Sequence, residues 1–92
     1  MSWRVHRPRS HHTHNSLGIA LDQTGKREEA MEHYQQALRI KPDFAVAHYN
    51  LGIALRQAGR VGEAIGQLEQ ALRIQPDFSQ ARNALARLQA GQ

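Results

Sequence analysis

The sequence predicts an all-α chain: an α-solenoid of two helix-turn-helix units followed by a C-terminal capping helix. Three observations predict it. Leu17-Gly18-Ile19-Ala20-Leu21 returns as Leu51-Gly52-Ile53-Ala54-Leu55, 34 residues later. Ala37-Leu38-Arg39-Ile40 and Pro42-Asp43-Phe44 return at the same spacing, as Ala71-Leu72-Arg73-Ile74 and Pro76-Asp77-Phe78. Apolar residues recur at helical intervals inside each copy, and no stretch alternates as a strand does. One fixed period means stacked copies of a small unit, not a single irregular core.

The elements follow in order. Leu17, Ala20 and Leu21 fit i, i+3, i+4 and predict a helix over 11–24. Gly25 closes it, because glycine accepts the left-handed conformation at a helix C-terminus. Ala30, Met31, Tyr34, Ala37 and Leu38 predict the next helix, over 28–40. Glu28 and Glu29 suit the positive end of its dipole, and Arg39 and Lys41 suit the negative end. Pro42 stops it, since proline lacks the N–H and restricts the residue before it. Ala47, Leu51, Ala54, Leu55 and Ala58 mark a third helix over 45–58, closed by Gly59. Ala64, Ile65, Leu68, Ala71 and Leu72 mark a fourth over 62–74, with Glu63 at its start, Arg73 at its end and Pro76 beyond. Ala81, Leu85 and Leu88 mark a fifth over 79–90. It is more polar, as a terminal cap must be to cover the last core face while meeting water. Asp43 and Asp77 are expected to cap the helices that follow them.

Gly18 and Gly52 lie inside helices, where glycine costs about 0.8–1 kcal/mol relative to alanine. A repeated cost implies a repeated gain, the close approach of the paired helix. Ala30/Ala64 and Ala37/Ala71 are the small residues expected to meet these glycines.

Composition sets the limits. The 92 residues hold no cysteine, so no disulfide or thiolate site is available. No apolar run approaches the roughly 20 residues of a membrane span. The basic start lacks the apolar stretch of a secretory signal, so the cytoplasm is the expected location. The net charge of +4 is concentrated at the front, where Arg4, Arg7 and Arg9 lie. From residue 11 onward nine Lys or Arg face eight Asp or Glu. A nucleic-acid binder gathers positive charge on a folded face, so nucleic acid is not the expected partner. Residues 1–10 read as a flexible basic segment ahead of a repeat domain over 11–92, with units 11–44 and 45–78 and a cap over 79–90. Pro8 precedes Pro42 by 34, so residues 1–8 read either as the tail of a preceding unit or as an unrelated tail.

His11, His12 and His14 invite a metal reading, but a structural zinc site needs about four ligands in fixed geometry. A polar frayed start is the expectation, with no metal and no cofactor. His33 lies four residues after Glu29 and reads as half of a surface pair. Gly62 and Gly66 weaken the fourth helix by roughly 1–2 kcal/mol by propensity. No phosphate loop, cysteine nucleophile or catalytic triad is present in the sequence, so no enzyme is expected.

The two units resemble the tetratricopeptide repeat family. The matching residues are His14, Leu17-Gly18, Leu21, Ala30, Tyr34, Ala37 and Pro42, then His48, Leu51-Gly52, Leu55, Ala64, Leu68, Ala71 and Pro76. His14 and His48 replace a bulkier residue, Leu68 replaces an aromatic, and His48 reads as a packing position. The resemblance implies a right-handed superhelical stack whose first helices line a concave groove for a peptide or protein segment. The groove positions are Asn15, Ile19 and Asp22, then Tyr49, Asn50, Ile53 and Arg56, then Gln80, Asn83 and Arg87. The clamp that chaperone-binding members close on a terminal carboxylate is not expected. Its positions carry Asn15, Ile19, Asn50, Gln80 and Ala84, of which only Asn50 fits. Nor is an asparagine ladder expected, since that position reads Ser16, Asn50, Ala84. The implied function is a non-catalytic interaction module. The alternative is self-association through exposed end faces, because about three repeats are usually needed for stability.

Overall fold

The computed structural model describes residues 10–91. It contains five helices and, among the described residues, no strand: α1 His11–Gln23, α2 Arg27–Ile40, α3 Ala45–Gln57, α4 Val61–Ile74 and α5 Ser79–Gln89. Every predicted boundary falls within one residue of these. The expectations for residues 1–9, including the spacing of Pro8, lie outside the described residues. No described helix is long and apolar enough to cross a membrane.

Two tight turns make the hairpins. Gly25 and Gly59 take φ of +84° and +82°, the left-handed region. Lys26 N–H donates to Leu21 C=O at 2.9 Å and Gly25 N–H to Asp22 C=O at 3.1 Å, the Schellman pattern. Arg60 N–H to Leu55 C=O at 2.9 Å and Gly59 N–H to Arg56 C=O at 3.0 Å repeat it in the second unit. The proline breaks are β-turns, closed by Phe44 N–H to Lys41 C=O and Phe78 N–H to Gln75 C=O, both 3.1 Å. Asp43 and Asp77 do not cap as expected. The N-cap positions of α3 and α5 are Phe44 and Phe78, and neither helix has a side-chain cap. The β-turn uses up one more residue than a direct proline stop would, so each aspartate sits a position too early.

Helix α1 pairs with α2, and α3 with α4. Helix α2 then packs on α3, α4 on α5, and α1 meets α3 along one edge. This is an all-α solenoid of paired helices. Its core joins Ala30, Met31 and Tyr34 to Leu51, Ala54 and Leu55, then to Ala64, Leu68 and Ala71, then to Ala81, Ala84 and Leu88. Burying one such side chain stabilises by about 1.5–3 kcal/mol.

The glycines do mark close approaches, but not to the alanines alone. A Cβ on Gly18 would run into the ring of Tyr34, with Cδ1 at 2.7 Å. One on Gly52 would meet Leu68 Cγ at 3.0 Å and the Ala64 carbonyl at 3.3 Å. The missing side chain is therefore filled by the large residue of the second helix. The buried alanines let the helix axes draw near enough for that. Gly62 and Gly66 meet nothing within 4 Å.

The histidines also differ from expectation. His11, His12 and His14 are not a frayed tail. They sit in α1, whose start is capped by Ser10 Oγ accepting from Thr13 N–H at 3.1 Å. The His11 and His12 rings stand edge-on to Phe44, with centroids at 4.8 and 5.3 Å. His33 turns to α1 rather than to Glu29: its Nδ1 lies 3.0 Å from His14 Nδ1, one donating to the other. His48, the counterpart of His14 in the next unit, is no simple packing residue. Its Nε2 donates to the Pro42 carbonyl at 2.9 Å, and its Nδ1 meets the Gln67 amide group at 2.7 Å.

Candidate interaction groove

The first helices of the units, α1, α3 and α5, carry the predicted groove residues. Six of the ten converge on one cleft of about 260 Å³ between α3 and α5: Tyr49, Ile53 and Arg56 with Gln80, Asn83 and Arg87. Ala84 completes the lining. The spacing explains the gathering. Residues 49, 53 and 56 lie on one stripe of α3, and residues 80, 83, 84 and 87 on one stripe of α5. A stack with a constant rotation turns both stripes toward the same hollow.

Each side chain is held differently. The Tyr49 ring lies against Phe78, with centroids 5.1 Å apart and planes tilted by 42°. Phe78 is the N-cap residue of α5, so the inter-unit turn fixes the tyrosine over the cleft. The sequence presents Phe78 only as part of a turn. Its partner is 29 residues away in the chain, which helical periodicity cannot reach. Ile53 gives an apolar floor, Gln80 and Asn83 offer amide donors and acceptors, and Arg56 and Arg87 bring two guanidinium groups.

The other four predicted residues stand apart. Asn50 Nδ2 donates to Asn15 Oδ1 at 2.9 Å, tying α3 to α1. Asn15 is only 8% exposed, so this pair is a link between units with little left for a ligand. Ile19 is exposed on α1. Asp22 faces Arg27, at 3.9 Å between Oδ1 and Nε, an ion pair beyond hydrogen-bond reach. The Asp22 carboxylate also bears on the chemistry below it. Burial pushes the Tyr34 phenol up to about 12, and Asp22 adds to the shift. Among the described residues no three His, Cys, Asp or Glu gather into a metal site.

A second hollow, of about 350 Å³, opens on the outer face of α1, lined by His12, Thr13, Ser16 and Leu17. Its counterpart on α3 is the face made by Ala47 and Leu51, which is buried against the preceding unit.

Known proteins share this architecture. The crystal structure of MamA superposes with a TM-score of 0.87 at 26% identity, over 89% of this chain and 48% of that one. A second structure, the crystal structure of MamA protein, gives a TM-score of 0.85 at 26% identity, over 89% of this chain and 45% of that one. The chain thus spans about half the length of these structures. No curated protein matches. A family model described as tetratricopeptide repeat matches residues 23–88, most of the helical stack. By that match and by its paired helices, the chain belongs to the tetratricopeptide repeat family.

Proposed function

We propose that this chain is a non-catalytic interaction module that holds an extended segment of another protein in the groove of α1, α3 and α5. The convergence of six groove residues on the α3–α5 cleft carries the reading. An apolar floor, an aromatic wall and amide groups suit a peptide with mixed side chains. The amides serve the ligand backbone and the tyrosine supplies buried contact area. The test is selection from a random-sequence peptide library against the intact chain. Selected peptides should lose about tenfold or more in affinity for Tyr49→Ala, with helix content unchanged by circular dichroism. Binders indifferent to that substitution would move the functional face elsewhere.

A second reading is favoured by the face of α1 lined by His12, Thr13, Ser16 and Leu17, which no helix covers among the described residues. A helical repeat that leaves its stacking surface uncovered is suited to receive another copy of the same fold. Self-association of this kind would give a melting temperature that rises with protein concentration. A monomer by light scattering at high concentration would exclude it.

A further inference from the structure

We infer that the segment this groove takes is acidic, held through side-chain carboxylates by Arg56 and Arg87. The inference rests on the groove reading and names the chemistry of its ligand. Both arginines line the α3–α5 cleft, and no Asp or Glu lines it with them. They sit in the last turns of α3 and α5, so adjacent first helices each deliver one guanidinium to the same hollow. Three described cations have ion pairs, Arg27 with Asp22, Lys41 with Asp43 and Arg60 with Glu63; Lys26, Arg39, Arg73 and Arg82 have none, and what sets Arg56 and Arg87 apart is the cleft they share. Among the described residues neither Arg56 nor Arg87 has an ion pair. The nearest comparison is Asp22, which occupies in α1 the position of Arg56 in α3 and is turned to Arg27. The acid end of the groove is thus already engaged, while the basic end is free.

Two guanidinium groups lining one cleft suit an anionic ligand. Carboxylates fit best, because the planar guanidinium fork donates two parallel hydrogen bonds to one carboxylate. Tyr49 and Ile53 line the same cleft and offer apolar surface beside the two cations. Gln80 and Asn83 remain for the peptide backbone. The ligand is therefore a segment with Asp or Glu flanking an apolar residue, the apolar side chain on Ile53 and Tyr49. A nucleic-acid strand fits less well, since the surrounding body is near neutral and a backbone of phosphates needs a longer basic track.

The test uses a random peptide library joined to its carrier through the peptide C-terminus, so that only side-chain carboxylates can be selected. The expected result is enrichment of Asp and Glu. The leading peptide should lose about tenfold or more when its acids become Gln or when the chain carries Arg56→Gln with Arg87→Gln, and its affinity should fall steeply with salt. Selected peptides without acids, lost with Tyr49→Ala but unchanged with Arg56→Gln and Arg87→Gln, would overturn the acidic ligand and leave the groove standing. Peptides indifferent to all three substitutions would overturn both. A random single-stranded oligonucleotide that displaces the leading peptide and binds more tightly would also overturn it.

Discussion

The first unit, α1 with α2, and the second, α3 with α4, share a period and a backbone yet do different work. In α3 the face made by Ala47, Leu51 and Ala54 is buried, at 0%, 3% and 0% exposure. The same positions in α1 are Thr13, Leu17 and Ala20, of which Thr13 and Ala20 are exposed and Leu17 half-buried. Under the helix glycine the first unit places Tyr34 and the second Leu68. At the hairpin edge the first unit pairs His14 with His33, and the second His48 with Gln67. The lesson is that a repeat's backbone is set by its shared residues, while its stability is set by what lies beside it. The second unit is sandwiched. The first has a neighbour on one side only among the described residues.

The largest test of that difference is a matched pair of truncations. Leu51→Ala should cost about 2–5 kcal/mol, as cavities in a buried site do. Leu17→Ala, half-buried, should cost about 1 kcal/mol. Urea unfolding measures both. Equal costs would mean that the α1 face is covered in solution, and would favour the self-association reading.

Next come the glycines. Gly18→Ala drives a methyl into a buried aromatic ring that cannot fold away, and should cost about 1–3 kcal/mol. Gly52→Ala meets the branched end of Leu68 at 3.0 Å, a milder clash. The helix propensity gained, about 0.8–1 kcal/mol, offsets part of it. A larger loss at Gly52 than at Gly18 would reverse the comparison.

The caps give a smaller effect. Ser10→Ala should cost about 1 kcal/mol, because Ser10 satisfies the Thr13 amide. Asp43→Ala and Asp77→Ala should change stability by less than about 0.5 kcal/mol, since neither caps a helix. Thermal melts of the three variants decide it.

The smallest effect at neutral pH belongs to Tyr34, and it separates the units by titration. In the folded chain the phenol keeps its proton to about pH 12, against 10.0 for the free side chain. Between those values the folded form binds more protons than the unfolded form. Stability is therefore intact below pH 10 and falls as pH rises toward 12. Tyr34→Phe should flatten that fall. The equivalent Leu68 in the second unit contributes nothing to it.

Much of the fold was legible because helix boundaries are written locally. Gly25, Gly59, Pro42 and Pro76 each act on their own turn, and the apolar spacing names the buried face. Contacts across helices were not. Periodicity says which way Gly18 faces, but not that Tyr34 rather than Ala30 fills the space. That depends on the interaxial distance. Helical spacing pairs His33 with Glu29, four residues away in sequence. Its actual partner is 19 residues away, on the facing helix. Phe44 displaced Asp43 as the capping position because the turn geometry, not the residue's preference, decided where α3 starts. The groove was half legible for the same reason. The stripe on each first helix could be read, and six of its residues do gather on one cleft. The bond between Asn15 and Asn50, which takes two residues out of that stripe, arises only once α1 and α3 lie side by side.

One imidazole has a wider reach than its size suggests. His48 belongs to α3, bonds the carbonyl of Pro42 in the turn before it, and bonds Gln67 in the middle of α4. Three stretches of chain are thereby yoked at a single ring. If the turn opens, α4 loses a tether; if α4 loosens, the turn loses its anchor. Amides near Lys41–Phe44 and near Gln67 should then exchange with deuterium at coupled rates, and the array should breathe as one body instead of shedding its units one by one.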